Sequence, residues 1–426
     1  MTGGLHTALI LGIFGLTLTL VLTRPRGWNE AWWTVGGSAV LLLLGLETPA
    51  QAREALRAGA SVLLFLLALL LLSALLGRSG FFDWAAVHAA RLANGDGRRL
   101  YRNTFLLGAL TTAALSLDTT AVILTPLVLA FVARLRLPAR PYVFACAFVA
   151  NTASLLLPVS NLTNLLLTAK FGLPFGSFVA HMALPQCAAL LVNYGLFRWL
   201  FRHDLPAKFD PAALPEPNTL LPNIIFFRAA VGTLAAVLIG YFVAPFAHWE
   251  PYWVGFAGCA VLLVVGMATR RVDVQIGREV AWSLFPFVMG LFVLVQAVET
   301  LGLTAHGAAW LSQSDGSSLS GIARAASEAG LASNIVNNIP AALLSVGVLK
   351  AAHAPQAQVY AALLGTNLGP NLTLFGSLAT MLVLSAARRE GTDIRGLDFF
   401  RVGLLVMPVT LLASTLALWA VFRVLH

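Results

Sequence analysis

The chain has 426 residues, of which 58% are hydrophobic and only 11% are charged, and its mean hydropathy is +0.83. Because a soluble domain carries about 25% charged residues, this composition excludes a soluble globular protein and indicates an integral membrane protein. The net charge of +9 does not indicate nucleic-acid binding, since the basic residues lie in short loops between apolar runs and report membrane orientation instead.

Apolar runs of about 20 residues are long enough to span a bilayer. The first run, Met1 to Leu22, lacks a basic n-region and a small-residue cleavage site, so we expect a retained helix rather than a signal peptide. In chain order we predict about ten spanning helices, at residues 5–22, 32–47, 58–77, 141–170, 177–200, 223–246, 252–269, 280–301, 355–386 and 400–423.

Two further apolar blocks, 103–133 and 318–349, are predicted to be re-entrant hairpins. Their tips would lie at Asp118 and at Asn337-Asn338. With hairpins, most of the 27 basic residues fall on one side of the membrane, whereas a single crossing at 103–133 would move two arginine clusters to the other side. The positive-inside rule therefore favours hairpins and places both termini outside.

Two polar stretches separate these elements. Residues 78–102 include an aromatic segment with helical periodicity, which predicts a short interfacial helix on the cytoplasmic face. Residues 203–222 hold five prolines at the middle of the chain, which is typical of a linker.

The predicted fold is an all-α polytopic membrane protein built from two repeats. The first repeat covers 1–202 and the second 223–426, joined by a cytoplasmic linker at 203–222. Each half has three spans, a hairpin (103–133 or 318–349), a broken helix (141–170 or 355–386) and a final span. Five crossings per half is an odd number, so the second repeat is expected to be inverted, as in many transporters.

Polar residues interrupt the apolar runs at the two hairpins and the two broken helices. Interrupted helices leave backbone groups without partners, which at mid-membrane can bind a solute or an ion. The candidate lining groups are Asp118, Thr119, Thr120, Asn151, Thr152, Ser154, Ser160, Asn161, Thr163, Asn334, Asn337, Asn338, Asn367, Asn371, Thr373 and Ser377. Nearly all are neutral, and they suit a neutral polyhydroxy solute or a modestly charged anion.

Asp118 is the one candidate that can carry a proton, because a carboxylate at the bilayer centre costs roughly 2.5–3.5 kcal/mol and is rarely there without a role. Serine, threonine and asparagine in membrane helices also serve helix packing alone. Arg324 and Glu328, four residues apart, are expected to pair on one helix face. Of the single cysteines, only Cys146, just before Asn151, is kept as a candidate thiol. We predict no metal site and no cofactor.

No phosphate-binding loop, H-E-x-x-H or G-x-S-x-G motif is present, so we expect a transporter rather than an enzyme. Several stretches, in order and over nearly the whole chain, resemble the ArsB-type arsenite and antimonite efflux permeases of the ion transporter superfamily. They are Ser79-Gly-Phe-Phe-Asp-Trp, Asp118…Ile123-Leu-Thr-Pro126, Asn151-Thr-Ala-Ser154, Ser160-Asn-Leu162, Asn337-Asn338 and Gly365…Leu368-Gly-Pro370…Gly376-Ser-Leu-Ala-Thr380.

The resemblance implies a multi-pass inner (plasma) membrane protein that exports trivalent arsenic or antimony hydroxide in exchange for protons. In some members a separate cytoplasmic ATPase subunit takes part. The family often has Asp where Asn151 stands, and Cys-Asp-Leu-Gly-Pro-Lys where this chain has Thr366-Asn-Leu-Gly-Pro-Asn371. Proton coupling is therefore expected to depend on Asp118, and the partners are a small inorganic substrate, protons and membrane lipid, without nucleic acid.

Two alternatives remain open from the sequence. A sodium- or proton-coupled carrier of organic or inorganic anions is suggested by the Ser160-Asn161-Leu-Thr163 and Ser333-Asn334 stretches, which resemble sodium-site motifs of the wider superfamily. A passive channel is the second, because channels also contain broken helices with polar interruptions. Sodium dependence would favour the first alternative, and accumulation against a gradient would exclude the second.

Overall fold

The protein is described by a computed structural model that covers residues 3–205, 207–247, 249–302 and 304–425. Every regular element in these ranges is a helix, apart from one isolated β-bridge between Asp96 and Lys208. The predicted all-α fold class is confirmed.

The first half of the chain holds helices of very different length. In order they are α1 (Gly3–Thr23), α2 (Glu30–Leu43), α3 (Pro49–Ala58), α4 (Ala60–Arg78), α5 (Phe81–Arg91), α6 (Gly97–Ala114), α7 (Leu117–Thr119), α8 (Thr125–Arg134), α9 (Ala139–Thr152), α10 (Leu162–Phe171) and α11 (Phe175–Leu200). A π-helical turn, Thr120–Leu124, joins α7 to α8, so Leu117–Arg134 runs as one helix. Side-chain caps fix several starts, such as Asp96, which accepts from the backbone N–H groups of Arg98 and Arg99 at the start of α6.

The second half has a similar mixture of long and short helices. In order they are α12 (Ile224–Val243), α13 (Pro251–Ala268), α14 (Leu284–Glu299), α15 (Thr304–Leu311), α16 (Leu319–Val336), α17 (Asn338–Ala351), α18 (Gln356–Leu368), α19 (Leu378–Arg389) and α20 (Gly396–Leu425). Helices α14 and α15 are bent by 75° at their junction.

Seven helices in the described ranges are long and apolar enough to cross a membrane, or eight if α14 and α15 form one bent span. The seven are α1, α4, α7–α8, α11, α12, α13 and α20. The pieces of the predicted broken spans are only 10–14 residues long, which is too short to cross individually. The count of ten spans, the two hairpins and the inverted repeat therefore stay predictions.

Two interruptions divide otherwise continuous apolar segments. Helix α9 ends at Thr152, and short 3₁₀ turns lead to α10. Helix α18 ends at Leu368, and another 3₁₀ turn leads towards α19. Pro158 and Pro370 stand in these turns, where a residue without an N–H cannot continue the helical hydrogen bonding.

Glycines bring α16 and α18 into backbone contact. A Cβ at Gly369 would lie 2.6 Å from the carbonyl oxygen of Gly330, and one at Gly365 would lie 2.7 Å from its backbone nitrogen. Gly365 and Gly369 form a G-x-x-x-G spacing, which allows close helix approach in membranes. This contact places α16 beside the second interruption.

The linker lies against the corner between α5 and α6. The backbone N–H of Phe209 donates to the carbonyl of Gly95 at 2.8 Å, and the guanidinium of Arg91 donates to the carbonyl of Leu214 at 3.2 Å. We call this attachment of residues 207–222 to 91–97 the clasp. Pro206, one of the five linker prolines, lies outside the described residues.

The prediction that Arg324 pairs with Glu328 is wrong. The Arg324 guanidinium donates instead to the carbonyl of Trp310 and the side chain of Gln313, both at 3.3 Å. It also lies over the Trp310 ring, 5.6 Å from the centroid. The Trp310 carbonyl, near the end of α15, also accepts from the backbone N–H of Gln313 at 3.3 Å, so the Arg324 guanidinium is its second donor.

Candidate solute site

The two helix interruptions are joined by buried amide side chains. The Asn151 amide donates to Asn371 Oδ1 and to Thr380 Oγ1, each at 3.0 Å. The Asn371 amide donates in turn to Thr152 Oγ1 at 2.9 Å. All four side chains are buried. The end of α9 is therefore fastened to the second interruption, although the residues are more than 200 positions apart in the chain.

A second amide cluster lies around Asn367. Its Oδ1 accepts from the Asn161 amide at 2.7 Å and from the Ser154 hydroxyl. Its own amide donates to Asn164 Oδ1 and to the carbonyl of Leu363, both at 2.8 Å. These groups satisfy one another, as buried polar groups must, so most of the interruption amides serve as structure here.

The first tip, residues 115–120, is held by hydroxyl groups. Ser116 Oγ accepts from the backbone N–H of Thr119 at 3.1 Å. Thr119 Oγ1 also lies 2.8 Å from Ser73 Oγ of α4, and Thr120 Oγ1 lies 2.7 Å from Thr112 Oγ1 of α6. Asp118 is partly exposed between them, and no hydrogen bond to its carboxylate occurs among the described residues.

The second tip, residues 337–339, is fastened to the second interruption. Asn337 adopts a positive φ of 76°, and its amide donates to the carbonyl of Phe375 at 3.0 Å. The backbone N–H of Asn338 donates to the carbonyl of Gly376 at 2.9 Å. Asn334, one turn earlier, donates to the carbonyl of Gly369 at 2.8 Å and accepts from Thr373. This tip therefore moves only if the second interruption moves with it.

Four helix starts meet at one small cavity between the tips and the interruptions. Each start contributes two consecutive residues: Leu117 and Asp118, Asn161 and Leu162, Asn338 and Ile339, Ser377 and Leu378. Leu66 and Val288 complete the wall, together with Leu284, the first residue of α14. We call this space, of about 20 Å³, the central cavity. It has room for about one water molecule in this conformation.

A larger space reaches Asp118 from the end of α4 that carries Arg78, and we call it the inner cleft because the predicted orientation places that end on the cytoplasmic side. Its volume is about 500 Å³, and it shares Asp118, Leu284 and Leu378 with the central cavity. Its wall also includes Ser73 and Thr119. Arg24, Glu30 and Glu279 also line it; Arg24 is paired with Glu30, and Glu279 is paired with Arg78. Asp118 is therefore the group where the cleft meets the central cavity.

The predicted site residues fall into three sets. Asp118, Asn161, Asn338 and Ser377 line the central cavity, and Thr119 lines the inner cleft. Thr120, Asn151, Thr152, Ser154, Asn367 and Asn371 are buried in the hydrogen bonds between elements. Ser160 donates to the carbonyl of Ala113 and Asn337 holds the second tip.

Two positions depart from what the sequence suggests. Cys146 is buried in the cluster of α6, α8 and α9 and does not line the central cavity. Ser73 is a cleft residue that sequence reasoning missed. The signal that could have found it is the one hydroxyl within the leucine-rich run of α4.

Helix starts give this cavity its electrostatic character. Backbone N–H groups of the first turn carry partial positive charge, which favours oxygen atoms and negative charge. Asp118 lies on one such start and faces three others, and no Lys or Arg side chain lines the central cavity among the described residues. A side-chain cap takes one first-turn N–H group at each start. The uncapped N–H groups and the Asp118 carboxylate are the groups available to solute oxygens and hydroxyls.

Comparisons with known proteins agree with this architecture. The family described as "Arsenical pump membrane protein" (ArsB) matches residues 9–422. The chain is 30% identical to the "Arsenical pump membrane protein" of Escherichia coli (strain K12), over 95% of this chain and 96% of that protein. It is 31% identical to the protein of the same name from Yersinia enterocolitica, with the same shares covered. The crystal structure of the Alcanivorax borkumensis YdaH transporter is similar with a TM-score of 0.61, at 16% identity, covering 98% of this chain and 97% of that one.

Proposed function

The chain belongs to the ArsB family of arsenical pump membrane proteins, and on this premise we propose that it exports trivalent arsenic and antimony in exchange for protons. It is a multi-pass membrane transporter of the bacterial inner membrane. The proposed substrates are arsenite and antimonite as neutral trihydroxides.

The observation that carries the proposal is the position of Asp118. It is the acid at the meeting of four helix starts, and the inner cleft reaches it. A neutral trihydroxide offers oxygen atoms to the helix N–H groups and hydroxyl protons to an ionised carboxylate. Such a solute needs no counter-charge in the cavity, which costs less than burying an ion.

Exchange follows from competition for Asp118. An ionised carboxylate accepts hydrogen bonds from the solute hydroxyls, whereas a protonated one has lost acceptor capacity and its charge. Solute that enters from the inner cleft therefore binds when Asp118 is ionised. A proton arriving from the other side would then weaken solute binding and favour release. The cytoplasmic ATPase subunit implied by the resemblance stays a prediction.

Arsenite uptake into everted membrane vesicles tests the proposal. An imposed pH gradient should drive accumulation without sodium, and Asp118→Asn should abolish the gradient dependence while Asp398→Asn retains it. Asp398 is an exposed-face acid paired with Arg401, away from both cavities. Full gradient dependence in a folded Asp118→Asn protein would refute the role of this residue.

One observation favours the anion carrier as a second candidate. Four helix starts without a nearby cation attract anions as well as neutral oxygens. Sodium-stimulated uptake of an oxyanion, with no arsenite movement, would support this candidate. If either solute accumulates against its own concentration gradient, a passive channel is excluded.

A further inference from the structure

A third cavity lies next to the central cavity, nearer the start of α4, and is lined by four charged side chains. They are Glu54 of α3, Lys170 of α10, Glu299 of α14 and Lys350 of α17, with Gln296 between them. The volume is about 200 Å³. We call this space the outer cavity, because the predicted orientation places Lys170 and Lys350 on the side opposite the arginine-rich loops.

The four charges of the outer cavity sum to zero, although none of these side chains forms a direct ion pair within the described part of the chain. Two carboxylates face two ammonium groups, yet the five ion pairs of the described residues all lie elsewhere. Such a wall carries no net charge that would hold an ion of one sign. It offers acceptors and donors together, which suits water and a small neutral solute that carries hydroxyl groups.

Four helices, α4, α10, α14 and α17, contribute to both the outer cavity and the central cavity, one turn apart. On each of these helices, an apolar residue of the outer cavity stands four positions from an apolar residue of the central cavity. The pairs are Val62 and Leu66 of α4, Leu166 and Leu162 of α10, Phe292 and Val288 of α14, and Leu343 and Ile339 of α17. All eight are buried. One helical turn is about 5.4 Å, so a single apolar layer separates the two cavities.

Phe292 is the largest side chain of this layer, and its ring lies directly on Gly59. A Cβ at Gly59 would overlap the ring, with Phe292 Cδ2 at 2.6 Å. Gly59 also lines the outer cavity, at the corner between α3 and α4. The ring therefore closes the layer against the backbone of another element, where it can leave by a rotation or by a shift of α14.

We infer that the outer cavity is an exit site for the neutral, hydroxyl-bearing substrate and that Phe292 is the barrier between this site and the central cavity. The inference rests on the proposed function for the identity of the substrate. Its geometry is independent of that identity. The inner cleft, the central cavity and the outer cavity then form one route that is open inward and closed at the Phe292 layer.

Thiol labelling tests the route without arsenite. The background is Cys187→Ser, which removes the exposed native cysteine, while Cys146 and Cys259 stay buried. In this background, Gln296→Cys should react with a membrane-impermeant methanethiosulfonate applied to the outer face of the membrane. Ser377→Cys, in the central cavity, should react slowly from that side. Adding Phe292→Ala should raise the rate at which Ser377→Cys is labelled from the outer face at least fivefold.

Phe287→Ala is the matched control, because Phe287 is also a buried ring of α14 but lines neither cavity. If Ser377→Cys is labelled from the outer face equally fast in the Phe292→Ala and Phe287→Ala proteins, Phe292 is not the barrier. Reaction of Gln296→Cys only from the inside would overturn the exit site. Folding of each variant is checked by its elution profile in detergent.

Arsenite uptake into everted membrane vesicles, with the same variants, separates the two proposals. With both correct, Phe292→Ala should reduce the steady-state accumulation at least threefold, because solute leaks back, and Phe287→Ala should not. The expected labelling pattern without any arsenite uptake by the parent chain would refute the proposed function and support the route. Gradient-driven uptake with the labelling pattern absent would refute the exit site alone.

Discussion

The two tips differ in how they are held, although both contribute a helix start to the same cavity. The second tip is fastened to the second interruption through Asn337 and through the backbone N–H of Asn338. The first tip is bonded within itself and to α4 and α6, and its acid faces the inner cleft. The difference shows that similar polar sequences can have different roles. The second tip holds two elements together, and this is its role in the frame of the site. The first tip presents the acid to the inner cleft.

The largest effect should come from removing the fastening of the second tip. Asn337→Ala loses the bond to the Phe375 carbonyl and the side-chain cap on the backbone N–H of Ile339. Each lost bond costs on the order of 1 kcal/mol, so the apparent melting temperature in detergent should fall by several degrees. Asn337→Gly loses the same bonds but fits a φ of 76° without a Cβ, so its melting temperature should fall less. Unchanged melting of the Asn337→Ala protein would break the comparison.

The adjacent residue should affect transport rather than stability. Asn338 fastens the tip through its backbone, while its side chain lines the central cavity. Asn338→Ala should therefore melt like the parent protein, and the KM for arsenite should rise about 2- to 10-fold for a lost hydrogen bond. Initial uptake rates at varied arsenite concentration measure this change. A lower melting temperature with an unchanged KM would assign Asn338 to the frame.

A smaller effect is expected at the support of the first tip. Ser73→Ala removes the hydroxyl beside Thr119 but leaves the bond between Thr119 and Ser116. Hydrogen bonds between membrane helices average about 0.6 kcal/mol, so uptake should fall less than about threefold. Ser61→Ala, on the same helix but remote from the inner cleft, is the control. A tenfold loss would show that this tip also depends on a fastening.

The smallest effect concerns pH at the start of α6, which leads to the first tip. The backbone N–H of Arg99, and then that of Arg98, hold the pKa of the exposed Asp96 below its usual value. Because the folded-state pKa is the lower one, this stabilisation is present above the unfolded pKa and is lost as pH falls through the folded pKa. Asp96→Asn retains a cap and should flatten the acidic part of a melting-temperature profile. Identical profiles would show that the cap does not contribute.

The sequence was sufficient for the fold class and for part of the site. Long apolar runs predict membrane helices, and the proline-containing polar stretches mark where α9 and α18 end. Asp118, Asn161, Asn338 and Ser377 were all predicted to line a pocket, and the structure places them around one cavity.

The remainder depends on contacts that no local pattern contains. Asn151 and Asn367 are bonded to the opposite half of the chain, and the sequence does not show which amides satisfy each other. Ser73 lies in α4, which is apolar on all sides, so its sequence does not show which face lines the inner cleft. The Arg324–Glu328 spacing fits an ion pair, but Arg324 donates to the carbonyl of Trp310 and to the side chain of Gln313 instead.

The clasp has a consequence for biosynthesis. Residues 207–222 leave the ribosome before any helix of the second half, and their binding partners, Gly95 and Arg91, have by then been made. Because the amino-terminal parts of a chain generally fold first during synthesis, we expect the linker to attach to the α5–α6 corner while α12 is still being translated. The starting point of the second half would then be fixed on the first half before its own helices enter the bilayer.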